Sequence, residues 1–219
     1  FTPVGFTKVE SGLTVTNTSA PIDVPVQKAW DDEEDQDGLR VDSVEVQLLA
    51  DGVAVDGEVE TLSATNEWKH TFTGLPAYNA DGTLIEYSIE ETTVPAGYTP
   101  SVALDENGVL VLTNTHIPAT TDLTVIKSWD DEENQDGIRA DEVEVQLVQL
   151  DDEGNVIEPV GEPVTLNDAN DWSYTWLDLP VNSAGEEIKY SVAEVDVPVG
   201  YESSVSDIVD GTITVTNTH

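Results

Sequence analysis

Residues 28–40 read KAWDDEEDQDGLR, and residues 127–139 read KSWDDEENQDGIR. The echo extends well past these thirteen residues. VEVQL at 44–48 matches VEVQL at 143–147, NEWKHTFTGLP matches NDWSYTWLDLP, IEYSIEETTVPAGY is answered by IKYSVAEVDVPVGY, and VLTNTH by VTNTH. The offset is 99 residues at the start and 103 at the end, a net insertion of four placed mainly in LDDEGNVIEPVGEP, which reads as a loop change. A chain of 219 residues that repeats at this spacing has to fold as two units of about 100 residues, each large enough to bury its own core. The opening PVGFTKVESGLTVTNTSAP matches only the closing part of a repeat, so residues 1–22 read as the tail of an upstream unit. The expected domains are therefore 23–118 and 119–219, joined through HIPATTD at 116–122. That junction is short and holds a proline, which predicts limited hinge freedom.

Within each unit, short alternating runs bounded by Gly, Pro, Asn and Asp recur about every 8 to 12 residues, and no long segment keeps a 3.6-residue apolar period. The fold class is all-β: two tandem antiparallel β-sandwiches with little helix. No stretch is apolar for long enough to cross a bilayer, and no signal peptide is recognisable. The chain thus reads as an excerpt of something processed or trimmed.

Charge narrows the partners. With 7 Lys+Arg against 45 Asp+Glu the formal charge is −38, so phosphate backbones and anionic membranes are repelled and nucleic acid is excluded as a ligand. A surface this acidic also fits a salty or cold habitat. The absence of cysteine removes disulfides and thiolate metal sites, leaving any extracellular staple to other chemistry.

Side chains two apart on a strand share a face. That rule groups Val26, Lys28 and Trp30, and in the second copy Val125, Lys127 and Trp129. It also groups Leu110, Leu112 and Asn114, then Ile213, Val215 and Asn217. Tyr87, Ile89 and Glu91 share a third face, matched by Tyr190, Val192 and Glu194. Each sandwich is thus predicted to turn an amine, a carboxamide and a carboxyl inward. An unpartnered buried ion costs several kcal/mol and an unpaired amide roughly 1 to 3, so the three groups need a shared purpose. The residues alone leave two further readings open: a lysine that snorkels to the rim, and a Lys–Glu ion pair capped by the asparagine.

The order K-x-W, DG-x-R, VxVQL, W, LP, Y-S-x-x-E, P-x-G-Y, TNT resembles the B-repeat (Cna protein B-type) domains of collagen adhesins, found in the stalks of Gram-positive surface adhesins and in pilins. The resemblance covers nearly all of both copies. It implies a prealbumin-like, inverse-Ig sandwich. It further implies a spontaneous intramolecular isopeptide bond between the opening-strand lysine and the closing-strand asparagine, promoted by an internal acid. Carried over, the groups are Lys28, Glu91 and Asn114, then Lys127, Glu194 and Asn217. One departure is Val41 or Ala140 after the arginine, where many members have proline; it lies away from the trio. Desolvation would neutralise both the lysine and the glutamate. The amine could then attack the carboxamide carbon while the protonated acid hydrogen-bonds its oxygen and relays protons to departing ammonia. Such a domain acts once on itself and is no turnover enzyme.

The resemblance further implies a cell-surface or cell-wall location outside the cell, a monomer without cofactor, and neighbouring repeats of the same chain as partners. A host or surface ligand would be held by another domain. For the acidic phrase, an EF-hand starting at Glu33 would place Asp35, Asp37 and Gly38 correctly but puts Val44 where a bidentate Glu is needed, and the second copy fails likewise at Val143. A solvated turn and a non-EF calcium site are the remaining readings, with Arg40 and Arg139 neutralising part of each turn. Trp176 is unique to the second copy and is the candidate for direct glycan or host-protein stacking, the basis of an alternative adhesive function. No ligand spacing links His70, His116 and His219, and no hydrolase pattern forms. Asn17 fits a glycosylation sequon and is expected to face inward, uncrosslinked, for want of its lysine and glutamate.

Overall fold

The computed structural model describes residues 6–11 and 14–219, with side chains at 7–9 and from 19 onward. It falls into two compact units that divide between Ile117 and Pro118, with Gln36–Gly38 grouped with the second. Ahead of the first sandwich, β1 (Phe6–Ser11) and β2 (Thr14–Ser19) pair antiparallel, with Lys8 opposite Asn17. The orientation expected of the Asn17 side chain lies outside the described residues.

The first sandwich is built from β3 (Ile22–Asp31), β4 (Ser43–Ala50), β5 (Val53–Ser63), β6 (Lys69–Leu75), β7 (Tyr87–Glu91), β8 (Thr99–Leu104) and β9 (Leu110–Thr115). A four-stranded sheet runs β6-β3-β9-β8 and a three-stranded one β5-β4-β7. The second sandwich repeats the plan with β10 (Thr120–Asp130), β11 (Glu142–Leu150), β12 (Val156–Asn167), β13 (Ser173–Pro180), β16 (Lys189–Glu194), β17 (Glu202–Val205) and β18 (Thr212–Thr218). Its sheets are β13-β10-β18-β17 and β12-β11-β16, and a small β14 (Asn182–Ser183) and β15 (Glu186–Glu187) ribbon is added. Helix is confined to single 3-10 turns at Ala64–Asn66 and Asp168–Asn170 among the described residues.

Most pairings are antiparallel, but the first and last strands of each sandwich lie side by side and parallel. The registers run from Val26↔Leu110 to Asp31↔Thr115 and from Thr124↔Thr212 to Asp130↔Thr218. A parallel pair cannot be closed by a tight turn; here the whole domain is the connection.

Alternation is what buries the core. Along β3, Val24, Val26 and Lys28 are buried while Pro25, Gln27 and Ala29 are half-buried. Val26, Val46, Leu48, Leu62, Phe72 and Leu112 form the driest part of the first core, and Val125, Val145, Leu147, Leu166, Ile213 and Val215 that of the second. Each fully buried side chain of this size contributes about 1.5–3 kcal/mol. The four-residue length difference is taken up largely in one hairpin. Asp51-Gly52, with φ of 50° and 76°, forms a two-residue connection between β4 and β5 of the kind that requires positive φ at both positions. Residues 151–155 replace it between β11 and β12.

Gln47 explains the repeated VEVQL. Its Nε2 donates to the carbonyls of Leu48, Val55 and Glu58, at 2.8, 2.8 and 3.1 Å, across a register shift between β4 and β5. Gln146 does the same for Leu147, Val160 and Gly161. A bulge leaves ladder carbonyls without partners, and this amide supplies the missing donor.

Candidate functional site

Lys28 reaches the interior from β3 and Asn114 from its parallel neighbour β9, where Asn114 stands opposite Trp30, two residues on from the lysine. Glu91 ends β7 on the facing sheet. Lys28 is 3% exposed and Asn114 0%; Lys127 and Asn217 are 5% and 0%. Asn114 Nδ2 donates to Glu91 Oε1 at 3.1 Å, and Asn217 Nδ2 to Glu194 Oε1 at 2.9 Å. The carboxyl therefore faces the amide nitrogen, where the sequence reading put it against the oxygen. In each pair Nδ2 is the donor and the carboxyl oxygen Oε1 the acceptor.

The lysines do not snorkel. Lys28 Nζ donates to the carbonyl of Ala29 and lies 3.9 Å from the centroid of the Trp30 ring; Lys127 Nζ donates to Ser128 O at 2.7 Å and lies 4.1 Å from the Trp129 ring. Their strand is tied down as well, since the backbone N–H groups of Lys28 and Lys127 donate to Trp68 O and Trp172 O, both at 2.8 Å. Burial pulls both amines from 10.5 to about 8, against the opposing attraction of Glu91 and Glu194. Burial likewise raises the Glu91 carboxyl, opposed by the Asn114 hydrogen bond and by Lys28. Four atoms of these trios, Glu91 Oε2, Asn114 Oδ1, Glu194 Oε2 and Asn217 Oδ1, are buried without a hydrogen-bond partner among the described residues. Each such atom costs roughly 1–3 kcal/mol.

Sequence reasoning missed the role of the second aspartate of each acidic phrase. Asp32 and Asp131 are 3% and 5% exposed. Arg40 grips Asp32 with two donors, Nε at 2.8 Å and Nη2, and Tyr98 Oη donates to the same carboxylate at 2.7 Å. Arg139 and Tyr201 repeat the arrangement on Asp131, with Nε and Oη each at 2.9 Å. The Arg40 bonds hold the Asp32 carboxyl down at about 2, and Tyr98 is pushed well above its ordinary value by burial and by that carboxylate. The residues that follow, Glu33, Glu34 and Asp35, all take positive φ of 50–66°, and Glu132, Glu133 and Asn134 take 51–62°. Left-handed backbone costs roughly 1–2 kcal/mol per such residue. The Asp32 carboxylate offsets part of it by accepting the Asp35 N–H at 3.2 Å, and Asp131 accepts the Asn134 N–H at 3.0 Å. The legible signal was the joint recurrence of D-G-x-R with P-x-G-Y. The two motifs meet: Gly97, at φ +87°, leaves only 3.0 Å between a would-be Cβ and Leu39 Cδ1, and His116 Nδ1 donates to its carbonyl at 2.9 Å.

Among the described residues no group of three or more His, Asp or Glu side chains could hold a metal ion, and no helix is long and apolar enough to cross a membrane. Trp176 is half-buried, its ring meeting that of Tyr174 at 5.2 Å and 72°. It packs against the second core, opposite Leu123, in the place Phe72 takes opposite Val24. Phe72 is fully buried there, whereas the larger Trp176 ring stays half-buried.

The profile of the Cna protein B-type domain matches residues 24–115 and again 123–218. A collagen adhesin of Staphylococcus aureus is 40% identical over 221 residues, covering 99% of this chain and 17% of that protein. The crystal structure of two B repeat units (B1B2) of the collagen binding protein (Cna) of Staphylococcus aureus superposes with a TM-score of 0.76 at 36% identity, over 99% of this chain and 55% of that one.

Proposed function

The chain belongs to the Cna protein B-type domain family, and on that premise we propose that its two sandwiches are stalk repeats of a bacterial surface adhesin, each locked by its own amide between lysine and asparagine. The protein would sit outside the cell, on the surface or in the wall, and present a ligand-binding domain at a distance. Its domains would span 23–118 and 119–219, with neighbouring repeats of the same chain as partners.

The observation that carries this reading is the pair of dry trios. An amine brought down to about 8 by burial is readily available as a neutral nucleophile. Lys28 Nζ attacks Asn114 Cγ. Glu91 enters protonated, passes its proton to Nδ2, which its carboxyl already faces at 3.1 Å, and takes up the proton that Nζ gives up, so that it ends protonated as it began. The Cγ–Nδ2 bond breaks, ammonia leaves, and Nζ keeps one hydrogen. In the product a proton on Glu91 can be donated to the new amide carbonyl. That single bond supplies partners for both the carboxyl and the carbonyl oxygens left unpaired before reaction. Lys127, Glu194 and Asn217 would do the same in the second domain. Each domain reacts once, so nothing turns over.

The noncovalent alternative is weakened by the lysine's own bond. Its Nζ donates to a backbone carbonyl while Glu91 Oε2 goes without a partner. The test is the mass of the intact chain under denaturing conditions. It should fall short of the sequence mass by two ammonia molecules, and Lys28→Ala should restore one of them; a full sequence mass for the folded wild-type chain would overturn the proposal.

A further inference from the structure

We propose that Trp30 together with the Asp32–Arg40–Tyr98 group, and Trp129 with Asp131–Arg139–Tyr201, are positioning residues that hold the lysine amine in place for attack and balance the charge around it. The inference rests on the amide reading above and assigns it a support that begins in the repeated acidic phrase.

The support is a chain of contacts. Lys28 Nζ rests 3.9 Å from the Trp30 ring centroid. Trp30 is met by the edge of Trp68 at 5.7 Å and 88°, and by Tyr98 at 5.0 Å and 66°. Rings packed edge to face in this way resist reorientation. Tyr98 is fixed in turn by its hydroxyl on the buried Asp32 carboxylate, which Arg40 clamps with two donors. In the second domain the same links measure 4.1 Å from Lys127 to Trp129, 5.6 Å and 88° to Trp172, and 5.0 Å and 72° to Tyr201. Two domains that differ in hairpin length and in Phe72 against Trp176 keep this chain link for link.

Its electrostatics have a direction. The charged groups acting on Lys28 are Glu91 from the facing sheet, Asp32 and Arg40. Asp32 favours the ammonium form and Arg40 opposes it, and Asp131 and Arg139 act on Lys127 with the same opposing signs. An unclamped Asp32 carboxylate would shift the amine toward its ammonium form. The sequence D-D-E-E-x-Q-D-G-x-R thus brings an arginine back over Asp32, the one buried aspartate of the phrase.

The experiment follows ammonia loss with time in the full chain, collected in denaturant before any amide has formed and then diluted into folding buffers of different pH. Folding is read by tryptophan fluorescence and circular dichroism, and peptide mapping assigns each loss to its domain, so the untouched second domain is an internal control. In the wild type both domains should react, with a rate that falls below the carboxyl's titration and again above that of the lysine, because reaction needs a neutral amine and a protonated acid together. Tyr98→Phe keeps the ring and removes the hydroxyl; it should slow the first domain roughly threefold to tenfold and leave the second unchanged. Arg40→Gln should move the alkaline limb to higher pH and Asp32→Asn to lower pH, a pair of opposite shifts that a merely structural contribution would not produce. First-domain rates and limbs identical to wild type in the folded Tyr98→Phe chain, and in whichever of the other two folds, would overturn the inference. If neither wild-type domain loses ammonia, it is the amide reading that fails.

Discussion

Pulling the chain from its two ends is the perturbation to which the first-and-last strand arrangement speaks most directly. Force enters the first sandwich at the start of β3 and leaves at the end of β9. These strands are adjacent and parallel, so the load shears the whole ladder between them. With the proposed amide in place, the path crosses from Lys28 to Asn114 through one covalent bond, and the residues between stay slack. Lys28 and Asn114 are 86 positions apart, which is roughly 280–310 Å of extended chain. The distance to subtract is small, because neighbouring strands lie only about 4.8 Å apart. Single-molecule force spectroscopy on the wild-type chain should therefore show neither domain lengthening in a step of this size. Lys28→Ala should add one such step, and Lys28→Ala with Lys127→Ala two. A wild-type trace with two releases near 300 Å would refute the reasoning, since no covalent bypass could then exist.

Three further outcomes follow from the same geometry. Removing the bond by Lys28→Ala reopens a loop of nearly the whole first domain, so its denaturant transition should lose about 4–5 kcal/mol from the unfolded-state constraint alone, while the second domain's transition stays where it was. An unbonded lysine should also make stability depend on pH. Lys28 is depressed from 10.5 to about 8 in the fold, so between these values the unfolded chain binds the extra proton. Asn114→Ala should accordingly gain stability as pH rises from 8 to 10.5, by about 2–3 kcal/mol, and be flat below 8; a wild-type domain, its amine consumed, should show no such slope in thermal or denaturant midpoints. Gln47→Leu, measured in the Lys28→Ala background so that unfolding can be followed, should cost roughly 1–3 kcal/mol, because three strand carbonyls lose their donor; an unchanged midpoint would mean the bulge satisfies itself some other way.

The repeat made the architecture legible. Period-two patterning alone places Lys28, Leu112, Asn114 and Ile89 inside, and the buried alternation of β3, β9 and β18 follows it residue by residue. What periodicity could not supply was partnership across strands. Nothing local in DDEED distinguishes Asp32 from its neighbours. Only the return of Arg40 and the approach of Tyr98 from a distant turn make that one carboxylate interior. Gln47 was invisible for a related reason, since its partners are backbone carbonyls and carry no side-chain signature. Trp176, half-buried where Phe72 is fully buried, shows that one position can keep its cross-strand partner and change its exposure. The amide's orientation on Glu91 was beyond the sequence too, depending on which form of the carboxyl the fold presents.

The central claim is a bond, and atomic-resolution electron density around Lys28 and Asn114 tests it most directly. The account predicts continuous density with Nζ and Cγ about 1.33 Å apart, planar as an amide must be, and the same at Lys127 and Asn217. Separate side chains, with Nζ and Cγ at van der Waals distance beyond about 3 Å and Nδ2 still on Cγ, would contradict it.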